Sequence, residues 1–145
     1  NAEGIIVAEV LGDYFSQKYG VLEHPVTFML SQSRVVGIRC EHKAIENELR
    51  GYLSADENGD RVGEFAIGTN LWVKTLTGNL LQDEKIPGVH VAFGDPYATE
   101  TGASWSSSTH LDVIPTDCTI YVDGRLLMQD GQFVPEVLNG IRGLP

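Results

Sequence analysis

Three short segments, Val62–Gly68, Val89–Gly94 and Thr109–Ile114, alternate residue types with a period of two, as β-strands with two unlike faces do. In the first, Glu64, Ala66 and Gly68 share one face, with Phe65 and Ile67 on the other. In the second, His90, Ala92 and Gly94 oppose Val89, Val91 and Phe93; in the third, His110 and Asp112 oppose Leu111. Each strand thus offers a metal-type donor. The same-face neighbours Ala66, Gly68, Ala92 and Gly94 leave room near the backbone for an ion or a substrate. Two imidazoles and two carboxylates make a transition-metal donor set if the strands are neighbours. Taken one strand at a time, the alternation is better explained by a polar face that simply meets water, and His-x-Asp alone is a weak motif.

The rest of the chain predicts what surrounds these strands. Gly4–Val10 reads as a strand, and 25–30 with 34–40 as a hairpin joined by Ser31-Gln32-Ser33. Between Lys43 and Ala55, the apolar residues Ile45, Leu49, Tyr52 and Leu53 fall at helical spacing, predicting one amphipathic helix that covers a sheet face and ends in the polar run Asp56–Asp60. The stretch 76–85 reads as either a short helix or an ordered loop. Asp123-Gly124 between apolar runs predicts a two-residue hairpin, and Asp130-Gly131 a second tight turn before Phe133. The expected fold is α+β: a mixed, mostly antiparallel sheet with one main covering helix, in a single domain. A chain of 145 residues suffices for such a core without staples.

Charge narrows the partners. Asp and Glu outnumber Lys and Arg by 20 to 10, a formal charge of −10, which argues against nucleic acid and anionic membranes. Cys40 and Cys118 form no CxxC or Cys/His cluster and read as buried free thiols. No apolar run approaches the roughly 18 residues of a membrane span, and no leader opens the chain, so a cytoplasmic location is expected. Asn1-Ala2 reads as the remainder of a cleaved expression tag. His24 and His42 read as surface residues, and Trp72 and Trp105 as pocket or packing residues. The Asp-Gly pairs lack the spaced oxygen ligands of calcium loops. Asn139-Gly140-Ile141-Arg142-Gly143 lacks the Lys-Ser/Thr ending of a phosphate loop.

Four blocks in order, Glu64-Phe-Ala-Ile-Gly-Thr-Asn70, Thr77-Gly-Asn-Leu-Leu-Gln-Asp-Glu-Lys-Ile86, Gly88-Val-His-Val-Ala-Phe-Gly94 and Thr109-His-Leu-Asp112, resemble the signature blocks of the aminopeptidase T and S metallopeptidases. The resemblance runs from about Glu3 to Phe133. It implies that Glu64, His90, His110 and Asp112 are metal ligands, that Tyr97, seven residues after His90, is an active-site tyrosine, and that residues 3–145 are the C-terminal metal-binding domain of a larger protein. One further glutamate ligand of that family would precede Glu3-Gly4. The stretch Ser104-Trp-Ser-Ser-Ser108 departs from the family's usual Asn-Arg-Ser run before His-x-Asp.

What the resemblance implies is a metal-dependent aminopeptidase using two divalent ions (zinc, cobalt or magnesium) and acting on peptides with a free N-terminus. In that reading Asp112 is shared between the ions, Glu64 binds metal and handles protons, and Tyr97 donates to the developing oxyanion. A homodimer and association with an N-terminal part of the same protein are also implied. Two alternatives use the same chain differently. His90, His110 and Asp112 fit the facial triad of a non-haem Fe(II) ring-cleaving dioxygenase of the 2,5-dihydroxypyridine type, with one iron; Glu64 is the residue that such a site does not need. A third reading is a non-catalytic dimerisation or substrate-covering module.

Overall fold

The computed structural model describes residues 1–142. Its elements are β1 (Gly4–Ala8), β2 (Val10–Leu11), α1 (Asp13–Tyr19), β3 (Val26–Ser31), β4 (Arg34–Arg39), α2 (Lys43–Leu53), β5 (Val62–Gly68), α3 (Leu80–Asp83), β6 (Gly88–Gly94), α4 (Ala98–Thr101), β7 (His110–Ile114), β8 (Ile120–Val122), β9 (Arg125–Gln129), β10 (Gln132–Phe133) and α5 (Pro135–Arg142). The α+β class and the antiparallel pairing hold. The strands divide among three sheets, ordered β1-β3-β4, β2-β7-β6-β5 and β10-β9-β8.

The apolar run expected to form one strand over Gly4–Val10 is divided at Glu9. Ala8 pairs with Val26 in the first sheet, whereas Val10 pairs with Ile114 in the second. Glu9 serves both sides of the division: its N–H donates to the Ile114 carbonyl at 3.2 Å and its carbonyl accepts from Leu22 N–H at 2.8 Å. One segment therefore ties two sheets together.

Those two sheets face each other across the core. Val91, Phe93, Leu111 and Val113 supply one side, Val26, Phe28, Leu30 and Ile38 the other, and the Phe28 and Phe93 rings meet at 5.2 Å between centroids. The stripe predicted for α2 is the one buried: Ile45, Leu49 and Leu53 all enter this core, and Leu49 is fully covered. Burying a leucine contributes about 1.5–3 kcal/mol. Alternation in β6 and β7 thus aims the apolar residues inward, which leaves His90, His110 and Asp112 on the far face.

The helices α1 and α5 lie outside what periodicity predicts. Seven residues are too few for a clear apolar stripe in α1, whose anchor in the core is Phe15. In α5, Pro135 occupies the first turn, where a missing N–H costs nothing. Gly143, the end of the glycine segment noted above, lies outside the described residues. Both Asp-Gly turns take the expected form: Asp123 and Gly124 have φ of 49° and 76°, and Asp130 and Gly131 have 49° and 73°, two left-handed residues in succession that match strand twist. The ambiguous 76–85 stretch resolves into a loop closed by the single-turn α3.

Candidate metal centre

The register of the second sheet assembles the centre. Glu64 on β5 lies opposite Ala92 on β6, and Ala92 lies opposite Asp112 on β7. Ala66 is opposite His90, and Gly94 is opposite His110. The four candidate ligands therefore sit on one face of three adjacent strands, with alanine or glycine as the cross-strand neighbour of each. At Gly94 an added Cβ would lie 2.1 Å from the Thr109 carbonyl oxygen, so the β6–β7 approach beside His110 requires glycine.

The face of Glu64 depends on an irregularity. Val62 pairs with Phe93 and Glu64 with Ala92, so Gly63 is an extra residue in β5. Simple alternation would put Val62 and Glu64 on the same face. The bulge lets Val62 pack against the apolar core while Glu64 turns to the centre.

Side-chain geometry converges on Glu64. Its Oε1 is 3.0 Å from His90 Nε2, and its Oε2 is 3.8 Å from His110 Nε2. His110 Nε2 is also 3.6 Å from Asp112 Oδ1. The ligand atoms of Glu64, His110 and Asp112 all lie within 4.8 Å of one another. His90 reaches this group through Glu64. Both imidazoles are oriented by their other nitrogen: His90 Nδ1 donates to the Glu84 carbonyl at 3.0 Å, and His110 Nδ1 to the Asp95 carbonyl at 2.9 Å. A proton fixed on Nδ1 leaves Nε2 as the coordinating atom, which is how metal-binding histidines are usually held. This donor set fits a divalent transition metal.

The electrostatics follow from the same contacts. Burial opposes a proton on His110, but Asp112, the Asp95 carbonyl and Glu64 outweigh it and hold the imidazolium up to about 9. Asp112 is almost covered, at 8% side-chain exposure, whereas Glu64 at 32% remains reachable from solvent.

Tyr97 stands at the rim, half exposed, with its ring 4.7 Å from the His110 ring. It holds a left-handed backbone, φ 50° and ψ 62°, uncommon for a residue of this size. Trp72 is 91% exposed, and Trp105 packs under the Arg61 guanidinium at 4.2 Å; neither lies in the centre. His24 faces Glu41 at the surface.

Several supporting residues carry no sequence signal that composition or periodicity would reveal. Asp83 is fully buried and accepts from Thr77 N–H, Thr77 Oγ1 and Gly78 N–H, all at 2.8 Å, which shapes the loop that presents the Glu84 carbonyl to His90. Asp56 accepts from Asn58 N–H and from Ser107 and Ser108, fixing the approach to β7. Tyr52, placed in the core stripe by spacing, also donates from its hydroxyl to the His110 carbonyl at 3.1 Å. Gly12 donates to the Asp112 carbonyl at 2.7 Å, and a Cβ there would meet Asp112 Cβ at 3.0 Å.

Two solved structures share this architecture. A 2,5-dihydroxypyridine dioxygenase from Pseudomonas putida KT2440 superposes with a TM-score of 0.70 and 19% sequence identity, over 92% of this chain and 40% of that one. Wild-type AmpT from Thermus thermophilus, an aminopeptidase T, superposes with a TM-score of 0.65 and 26% identity, over 91% of this chain and 36% of that one. The first likeness speaks for the fold; the second supports an aminopeptidase T-like fold. The chain spans less than half the length of either structure. No family profile and no curated protein sequence matches it. Among the described residues, no helix is long and apolar enough to cross a membrane.

Proposed function

We propose that this chain carries the metal centre of a metal-dependent aminopeptidase that hydrolyses the N-terminal peptide bond. The observation behind the reading is Glu64, a partly exposed carboxylate set between two imidazoles whose Nδ1 atoms are tied to backbone carbonyls. The likeness to AmpT supports it.

His90, His110, Asp112 and Glu64 would hold two divalent ions, zinc, cobalt or magnesium. Bound there, the ions would polarise the scissile carbonyl and lower the pKa of a bound water. The protein's own groups do the rest. His90 and His110 would bind through Nε2, and Asp112, buried beside His110, would be the shared carboxylate. Glu64, the more accessible carboxylate, takes up the proton released when water attacks and passes it to the departing amine. Tyr97, beside His110 at the rim, donates from its hydroxyl to the carbonyl oxygen as negative charge builds there. A substrate peptide with a free amino terminus, a homodimer and an N-terminal part of the same protein complete the proposal.

One observation favours a second reading. His90, His110 and Asp112 without Glu64 form a two-histidine, one-carboxylate set, the donor set of non-haem Fe(II) oxygenases, and the fold is shared with a 2,5-dihydroxypyridine dioxygenase. Elemental analysis of protein purified without chelators separates the two. About two zinc or cobalt ions per chain, with release of N-terminal residues from peptides, supports the aminopeptidase; one iron per chain with oxygen uptake supports the dioxygenase. Full purification yielding neither metal nor activity supports a non-catalytic dimerisation or substrate-covering module.

A further inference from the structure

The strand that carries Glu64 is the edge of its sheet. The ladder dictates which of its backbone groups are free. Asp95 N–H donates to the Thr109 carbonyl at 2.6 Å, and the register then pairs Phe93 with Leu111 and Val91 with Val113. Hydrogen-bonded pairs recur at every second residue of an antiparallel ladder, so the odd-numbered residues of β6 bond to β7 and the even-numbered ones bond to β5. Gly94 N–H, which donates to the Arg61 carbonyl at 2.8 Å, follows this rule. Glu64, Ala66 and Gly68 therefore commit their amides and carbonyls to Ala92, His90 and Gly88. Those of Phe65 and Ile67 point away from the sheet, and among the described residues nothing bonds to them.

This open edge has one closed end. Just before the bulge, Val62 N–H donates to the Ser33 carbonyl at 2.8 Å, Val35 N–H donates to the Asp60 carbonyl at 2.9 Å, and Arg34 bridges to Arg61. The start of β4 thus blocks the edge on the Val62 side. At the other end it opens into a cleft of about 450 Å³ bordered by Ile67, Gly68, Thr69, Asn70 and Lys85, which also contains Glu64 and His90. A chain laid along the edge must stop beside Glu64, so the residue it brings to the centre is its terminal one, and the overall charge of −10 favours the end that carries an ammonium over the end that carries a carboxylate.

We infer that the Phe65–Ile67 edge of β5 is a docking strand for an extended peptide, which pairs through its main chain and ends with its amino-terminal residue at the metal centre. The inference rests on the aminopeptidase reading and deepens it. Main-chain pairing gives affinity without regard to side-chain identity, so it predicts broad tolerance downstream of the cleaved residue. The blocked end admits a chain terminus and refuses an internal segment.

The test compares a tetrapeptide with an aminoacyl anilide, which has no downstream main chain, on the metal-loaded full protein. N-methylation of successive downstream amides of the tetrapeptide should alternate in effect: those facing β5 raise KM by roughly five- to tenfold per lost bond, and the intervening ones leave it unchanged. Ile67→Pro, which deletes one outward N–H on an edge strand, should raise KM for the tetrapeptide and spare the anilide. If the anilide is cleaved but N-methylation has no alternating effect, the docking strand is overturned. Should the anilide resist cleavage with every metal tried, the aminopeptidase reading falls instead. Amide exchange then judges the edge alone: slowing at Phe65 and Ile67 under saturating tetrapeptide supports it, and unchanged exchange overturns it.

Discussion

His110 Nε2 lies 3.6 Å from Asp112 Oδ1, two residues along the same strand and on the same face. Two donors each about 2.1 Å from a tetrahedral metal stand about 3.4 Å apart, so this spacing is close to that of neighbouring ligands on one ion. Within β7, the pleat alone sets it, because i and i+2 side chains rise side by side from the strand.

Replacing His110 by Ala should therefore remove metal and activity together. The loss in metal affinity is expected to exceed the roughly 10–100-fold that follows from removing an outer hydrogen-bond partner. Metal titration by calorimetry, with peptide hydrolysis measured in parallel, checks this. A variant that keeps both would sink the ligand assignment.

The proton on His110 gives the metal-free protein a pH signature. The folded-state value is raised to about 9 from 6.5, so its stabilising contribution is complete below about pH 6.5 and is lost as pH rises through about 9. A metal must displace that proton. Metal uptake near pH 7.5 should release at least one proton per site, readable in weakly buffered solution with an indicator dye, and affinity should climb towards pH 9. Uptake without proton release would contradict the assignment of His110.

Asp56 has the opposite dependence. The Ser108 hydroxyl and amide, then the Asn58 amide, with help from Ser107 and against the cost of burial, hold its carboxyl well below the usual carboxylate range. Its contribution is present above the ordinary carboxylate value and is lost as pH falls below it. Asp56→Ala should lower the thermal midpoint at pH 7, speed amide exchange at residues 107–109, and reduce the further loss of stability on acidification. A melting curve unchanged from wild type at both pH values would refute the clamp.

Gly94→Ala should destabilise the protein by at least about 2 kcal/mol. The added Cβ would sit 2.1 Å from the Thr109 carbonyl oxygen, on a residue whose φ is +100°. Urea unfolding monitored by circular dichroism gives the shift. A midpoint equal to wild type would mean that the β6–β7 approach can relax more easily than the contacts suggest.

Much of the sheet around the centre was legible because period-two alternation in β5, β6 and β7 is a local property of the chain. The strand ends fall within a residue of those predicted, and the α2 stripe of Ile45, Leu49 and Leu53 is the one buried. The supports of the centre were not legible, for a physical reason. Asp56 and Asp83 act by gathering amide and hydroxyl donors, and such bonds leave no period in the sequence; the 56–60 run reads only as a polar turn. Tyr52 shows the limit differently: its ring obeys the helical stripe, but its hydroxyl reaches His110, 58 positions away. The division at Glu9 was hidden because both halves of Gly4–Leu11 are equally apolar and only tertiary pairing separates them.

The bulge at Gly63 absorbs a step in chain length that would otherwise reach this centre. Deleting Gly63 would let Val62 and Glu64 alternate regularly opposite Phe93 and Ala92, so the carboxylate would keep its face, whereas pairing all three residues in a regular ladder would turn it into the space that Val62 fills. Related chains that keep the glutamate should therefore occur with or without one extra residue in this short span, and the bulge should come and go with that residue.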